Sequence, residues 1–293
     1  GGGDIQLAPD TRTERLLVTG RFVPFLLVDG IVWFCARPRP AGSSVPIVER
    51  LTDTAAPVLV LLAVTLSVLS FPSFVDLDGY WFLGWFALVP LFVLLRDNVD
   101  RGAYARAVWY GVLYGVLLTL VGNYWLGTFN LISLQAVGVI FLAFYVFFMP
   151  VAVGALAAIS PRTTARLRSL QVARALVLPL LWTAFELARS SGFLGYPWLL
   201  VAHSQYRIPQ AIQTARFGGV WFVSFVVLVV NAFLAEAILA SRSRGERRVG
   251  VDHAGRVTRR VGPRTWILAA ASVFVVNLAI GTVVLQFPLS TDG

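Results

Sequence analysis

The chain has 293 residues, 57% of them apolar and only 13% charged, and its net charge of +9 is carried without a single lysine. Apolar runs of about twenty residues exclude an ordinary soluble fold, which could not bury so much hydrocarbon. Cys35 is the only cysteine, which excludes a disulfide framework, and the charge needs no nucleic acid to explain it, because the arginines follow the topology described below.

The first 54 residues read as a cytoplasmic or interfacial segment. Leu16 to Cys35 is apolar but interrupted by Arg21, Pro24 and Asp29, and a charge at mid-bilayer costs about 2.5–3.5 kcal/mol on insertion scales. This stretch is therefore expected to rest at the membrane surface. The chain opens Gly-Gly-Gly and shows no basic region followed by a short apolar core and a small-residue cleavage site. Residue 1 is thus not expected to be the natural start.

A hydrocarbon core of roughly 30 Å requires about 20 apolar residues per helix, because each crossing backbone must satisfy its own hydrogen bonds. Seven stretches qualify, near 55–74, 80–95, 107–126, 134–159, 174–188, 219–240 and 266–287. Residues 55–287 are therefore expected to be the transmembrane domain. Trp81, Trp85 and Phe86 place an aromatic belt at one end of the second span. Pro90, Pro150 and Pro179 fall within spans and are expected to kink them.

Positive charge accumulates in short cytoplasmic loops. Arg96, Arg101 and Arg106 follow the second span, Arg162, Arg166, Arg168 and Arg174 the fourth, and eight arginines, Arg247, Arg248, Arg259 and Arg260 among them, crowd 241–265. The alternate loops 75–79 and 127–133 hold none, and 189–217 holds only Arg189, Arg207 and Arg216. The pattern predicts an all-α polytopic membrane helical bundle of about seven transmembrane helices, with the N-terminus in and the C-terminus out. Residues 288–293 would then begin an extracytoplasmic linker. The basic stretch 241–260 reads as a solvated topogenic loop or as a contact for anionic headgroups.

No metal or cofactor set is visible. His253 sits among arginines, His203 stands alone in the last outer loop, and no nucleotide-binding, zinc-protease or Ser–His–Asp pattern occurs. No internal repeat supports a transporter built from inverted halves. A small transporter also predicts charge along a mid-membrane path, and Glu186 and Glu236 both fall near helix ends.

The informative stretch is 181–232. Glu186 and Arg189, spaced i, i+3, share one helix face, where they form either a structural ion pair or a site for a polar headgroup. Gly192, Gly195 and Pro197 then break the helix beside Tyr196 and Trp198, which suits a re-entrant or interfacial loop with Trp198 as an amphipathic wall or a belt residue. Ser204, Gln205 and Tyr206 follow, and Gly218-Gly219 opens the next span, where small residues permit close packing.

In order, Trp182, Glu186, Arg189, Gly195-Tyr-Pro-Trp198, Ser204-Gln205, Gly218-Gly219, Ser224-Phe and Asn231 resemble the membrane domain of bacterial apolipoprotein N-acyltransferases. Leu69-Ser-Phe-Pro72 with Trp85-Phe-Ala-Leu-Val-Pro90, and Asn123-Tyr124-Trp125, are similar to further motifs of that family, so the resemblance covers about 55–287. It implies a multi-pass protein of the bacterial cytoplasmic (inner) membrane that moves a fatty acyl chain from a phospholipid donor to the N-terminal cysteine of a diacylated lipoprotein. In that family the chemistry belongs to an extracytoplasmic nitrilase-like domain with a Glu–Lys–Cys triad, inserted after the seventh helix, about where this sequence ends.

The resemblance therefore implies no catalytic residue, cofactor or metal within these residues. It implies a lipid-binding set of Trp198, Tyr196, Glu186, Arg189 and Gln205, with Asn123, Tyr124 and Trp125 as a second wall. A second reading makes the chain a non-catalytic membrane anchor or recruitment module for a polyprenol-phosphate glycosyltransferase, which some actinobacterial relatives resemble. That reading requires a cytoplasmic C-terminus, against the arginine pattern.

Overall fold

A backbone surrounded by hydrocarbon has no water to bond, so apolar stretches of this length close their own hydrogen bonds as helices. The structure, a computed structural model, describes residues 47–73, 75–159, 168–192, 195–242, 249–251, 257–259 and 261–286. Cys35, the Leu16–Cys35 stretch, His253 and the tail 288–293 lie outside the described residues.

The chain runs α1 (Ile47–Ser70), a 3₁₀ turn Trp81–Trp85, α2 (Val89–Asp100), α3 (Tyr104–Gly122), a short α4 (Leu126–Phe129) and α5 (Leu131–Ala158). It continues through α6 (Arg168–Arg189), a 3₁₀ turn Val201–Gln205, a short α7 (Pro209–Ile212) and α8 (Ala215–Arg242). An antiparallel hairpin of β1 (Val249–Val251) and β2 (Val257–Arg259) then leads to α9 (Pro263–Gln286). Six segments are long and apolar enough to cross a membrane, and the apolar part of α1, Ala55–Ser70, is a shorter seventh.

The seven expected spans are all helical, with three differences. The second is a 3₁₀ turn followed by a helix, and Pro90 sits in the first turn of α2, where its missing N–H is no loss; it does not kink a span. Trp85 is buried, with its ring edge-on to Phe274 of α9 at 4.7 Å, so it packs the interior instead of joining a headgroup belt. Gly218-Gly219 break α8 near its start: Gly219 has φ 68°, in the left-handed region open to glycine.

Trp182 on α6 is the hub of the core, meeting Phe92 of α2, Tyr114 of α3 and Phe148 and Tyr145 of α5 edge-on at 5.7–6.3 Å. Such pairings add about 0.5–1.5 kcal/mol each to area burial. Gly115 makes room for the Tyr145 ring, which a Cβ there would meet at 2.3 Å. Buried polar groups find partners across helices, as hydrocarbon requires. Ser67 of α1 bonds the Tyr114 hydroxyl at 2.9 Å. Asn231 of α8 accepts from Leu88 N–H and donates to the Gly84 and Val227 carbonyls, fixing the turn that launches α2.

Because the helices alternate in direction, one end of the bundle gathers the loops 71–80, 122–131 and 190–214, and the residues of the expected site lie in these loops or, for Glu186 and Arg189, on the last turn of α6 beside them. The other end is pinned by ion pairs: Arg96 of α2 with Glu236 of α8 at 2.6 Å, and Arg174 of α6 with Asp100 of α2.

Candidate functional site

The site is built around an irregular segment after α6. Glu186 and Arg189 are on the last turn of that helix, and both are almost fully buried, with a closest N···O separation of 4.0 Å. Arg189 donates from Nη1 to the carbonyls of Tyr196 (3.2 Å) and Trp198 (2.9 Å) and from Nη2 to that of Leu199 (2.9 Å). Its guanidinium carbon lies 5.3 Å over the Phe141 ring and 5.9 Å over Phe185. Glu186 Oε1 accepts from Val201 N–H at 2.9 Å, and Oε2 makes no hydrogen bond, with Ser224 and Trp182 as its polar neighbours. Each charge is thus used to hold backbone that neither helix nor strand would satisfy.

The backbone so held is strained. Leu199 has φ 57°, and no other non-glycine residue among the described ones has a positive φ. For a bulky side chain that region costs about 1–3 kcal/mol unless the surroundings impose it. Here Arg189 pins the carbonyl, and the Leu199 side chain packs where a Cβ on Gly122 would come within 2.7 Å of it. Trp198 is consequently turned outward and is 53% exposed.

Opposite stands the end of α3. Asn123 is buried, donates to the Thr119 carbonyl at 2.9 Å and accepts from the Tyr196 hydroxyl at 2.7 Å. The Tyr196 ring meets Phe141 edge-on at 5.4 Å, and Trp198 meets Trp125 edge-on at 5.7 Å. Partial burial pushes the Tyr196 hydroxyl up to about 12, with the positive charge of Arg189 opposing the shift. Tyr124 is exposed beside this pair.

The expected residues therefore divide by role. Trp198, Tyr124 and half-buried Trp125 present ring surface outward, whereas Glu186, Arg189, Asn123 and Tyr196 are joined beneath it. Gln205 lies apart, buried in the Val201–Gln205 turn, where Nε2 donates to the Trp81 carbonyl and to Ser204 Oγ while Oε1 has no hydrogen-bond partner. Its neighbour His203 is held below the ordinary histidine value by burial first and by the positive charge of Arg189 second. At the edge of this end, Arg207 pairs with Asp78, and Tyr206 donates to the Asp78 carbonyl.

Ser224 and Leu199 are joined to this cluster, though the sequence does not single them out as lipid-binding residues. Ser224 Oγ accepts from Ala202 N–H at 3.0 Å; its place in the family resemblance and its hydroxyl in an otherwise apolar run mark it, but neither names its partner. Leu199 carries no signal, because its importance lies in a backbone angle. Beneath the loop is a narrow cavity of about 20 Å³, lined in part by Ser67, Ser70, Tyr114, Tyr145, Ser204 and Arg189. Among the described residues no group of three or more His, Cys, Asp or Glu could hold a metal ion.

A family model described as the apolipoprotein N-acyltransferase N-terminal domain matches residues 56–233. The chain is 30% identical over 183 residues to the apolipoprotein N-acyltransferase of Borreliella burgdorferi, covering 59% of this chain and 31% of that protein. It is 33% identical over 162 residues to apolipoprotein N-acyltransferase 2 of Treponema pallidum, covering 55% and 27%. To the apolipoprotein N-acyltransferase of Geobacter metallireducens it is 29% identical over 195 residues, covering 64% and 34%. The chain spans about a third of the length of the curated relatives it matches.

Proposed function

The chain belongs to the apolipoprotein N-acyltransferase family through its N-terminal domain, and from that premise we propose that it is the membrane half of an enzyme transferring a fatty acyl chain from a phospholipid to the N-terminal cysteine amine of a diacylated lipoprotein. The observation that carries the reading is the clamp: Glu186 and Arg189 hold backbone of 196–201 so that Trp198, with Trp125 and Tyr124, forms an aromatic wall at the end of the bundle. Aromatic rings with a polar edge suit the headgroup layer, where both two-tailed substrates present their reacting atoms.

The chemistry would take place outside these residues. A Glu–Lys–Cys triad needs a lysine, and the chain has none. In the reaction implied by the family, a thiolate attacks the phospholipid ester and a thioester forms as the lysophospholipid leaves. The lipoprotein amine then attacks the thioester, releasing the thiol. The role proposed for this chain is to hold both substrates at the depth where that thiol works. The orientation proposed with it places 1–54 in the cytoplasm or at the membrane surface facing it, 55–287 across the bacterial inner membrane and 288–293 on the outer side, where the arginine-poor loops would also lie.

The test uses the whole protein that carries this domain, in vesicles containing phospholipid donor and a diacylated lipopeptide. Trp198→Ala removes exposed wall without touching the clamp, and the expected result is a roughly tenfold loss of transfer, equivalent to about 1.4 kcal/mol. Arg189→Lys is expected to slow transfer as well, because an ammonium cannot reach three carbonyls as the planar fork does. If Trp198→Ala and Glu186→Ala leave both acylation steps unchanged, the site assignment is wrong.

A further inference from the structure

The small cavity beneath the loop carries hydrogen-bonding capacity that the surrounding helices leave partly unused. Two of its lining side chains hold a donor without an acceptor. Arg189 Nε has no hydrogen-bond partner, and the hydroxyl of Tyr145 on α5 has none among the described residues. Both side chains belong to residues more than nine-tenths buried. Two lining hydroxyls keep lone pairs to spare, since a hydroxyl oxygen can accept twice. Ser70, at the end of α1, donates to the Ser67 carbonyl at 2.7 Å and accepts from nothing among the described residues. Ser204 donates to the Val201 carbonyl at 2.7 Å and accepts once, from Gln205 Nε2 at 2.8 Å. The remaining hydroxyls in the lining, Ser67 and Tyr114, bond each other at 2.9 Å.

We propose that this cavity binds one water molecule, which accepts from Arg189 Nε and the Tyr145 hydroxyl and donates to Ser70 Oγ and Ser204 Oγ. The size fits: a single water needs about 10–15 Å³, so a cavity of about 20 Å³ admits one and not a pair. The valence fits as well, because two unused donors and two unused acceptors are what one water satisfies, and buried waters make two to four such bonds. An apolar group in its place would leave both donors unpaired. A metal cation would lie against a buried guanidinium. A halide is larger than water and would face the serine oxygens, and the charge of Arg189 is already answered by Glu186, 4.0 Å away. The water joins α1, α5, α6 and the Val201–Gln205 turn, and so carries the Arg189 clamp from the loop carbonyls into the interior of the bundle.

The proposal does not rest on acyl transfer, since the cavity would hold its water in a protein of this fold with no chemistry. Its test is a crystal structure of the whole protein that carries this domain, grown with bromide in place of chloride, at a resolution that shows ordered water. One rounded peak is expected within about 2.7–3.2 Å of Arg189 Nε and Tyr145 Oη. An empty cavity in a map that shows other buried waters overturns the proposal, as does an elongated peak or the anomalous signal of bromide. X-ray radiolysis in heavy-oxygen water gives a second reading, because a bound water oxidises the side chains beside it. Tyr145 is expected to take up the label, and Tyr110, buried on α3 but outside the cavity, is not. Ser70→Val removes one acceptor and puts a methyl group into the space, so both the peak and the Tyr145 label should be lost; a label that persists overturns the proposal. Should that variant fail to fold, the map of the unaltered protein decides the matter. No acylation is read, so the outcome is separate from the fate of the functional proposal.

Discussion

Arg189 and Glu186 illustrate how far single residues could be read. Their spacing put them on one face of a helix end, and that is where they are, but the groups they bind could not be inferred. The partners are carbonyls and an N–H seven to fifteen residues further on, in backbone with no periodic pattern. Two titrating neighbours carry a prediction. His203 is lowered by burial, so its neutral form favours the fold; the stability it contributes is present above about pH 6.5 and is lost as pH falls through the lower folded value. Tyr196 is raised to about 12, so its contribution is fully present below about pH 10 and is lost as pH rises through 12. Thermal unfolding in detergent at a series of pH values should therefore show a shoulder on the acid side that His203→Asn removes. It should also show an alkaline loss that Tyr196→Phe removes.

At the scale of elements, length and apolarity made all seven rods legible, because both are summed over about twenty residues and tolerate local error. What they could not show was which residues of a rod face inward. Trp85 looked like a belt residue but lies against α9, and Pro90 looked interior but begins α2. Glu236 was placed near a helix end, which is correct, but its partner is 140 positions away in sequence. That pair makes a prediction about how α2 and α8 are joined. Glu236→Ala leaves Arg96 buried without its anion and should cost about 3–5 kcal/mol, the range for breaking a buried ion pair from one side. Replacing both together, Arg96→Met with Glu236→Leu, should cost much less. A double-mutant cycle from unfolding in detergent checks both values, and equal losses for the single and double variants would mean that the pair does not join the helices.

For the molecule as a whole, the alternation of arginine-rich and arginine-poor loops predicts a topology that the fold itself leaves open, since a bundle has the same coordinates whichever way it is inserted. Reporters fused at 103 and after Gly293 should read opposite sides, the first cytoplasmic and the second not; the reverse result would remove the basis for placing the aromatic wall outside. The other property of the whole concerns α9, which stands outermost and shows most of its surface to lipid. It is nevertheless fixed in height: a Cβ on Gly281 would lie 1.8 Å from the Gln210 carbonyl oxygen, and Asn277 reaches Thr214 and Ala211. Backbone seated on backbone does not slide. In a bilayer thinner or thicker than the bundle, α9 cannot shift along its neighbours to follow the lipid, so the mismatch must be absorbed by tilt of the entire body or by dimpling of the surrounding leaflets.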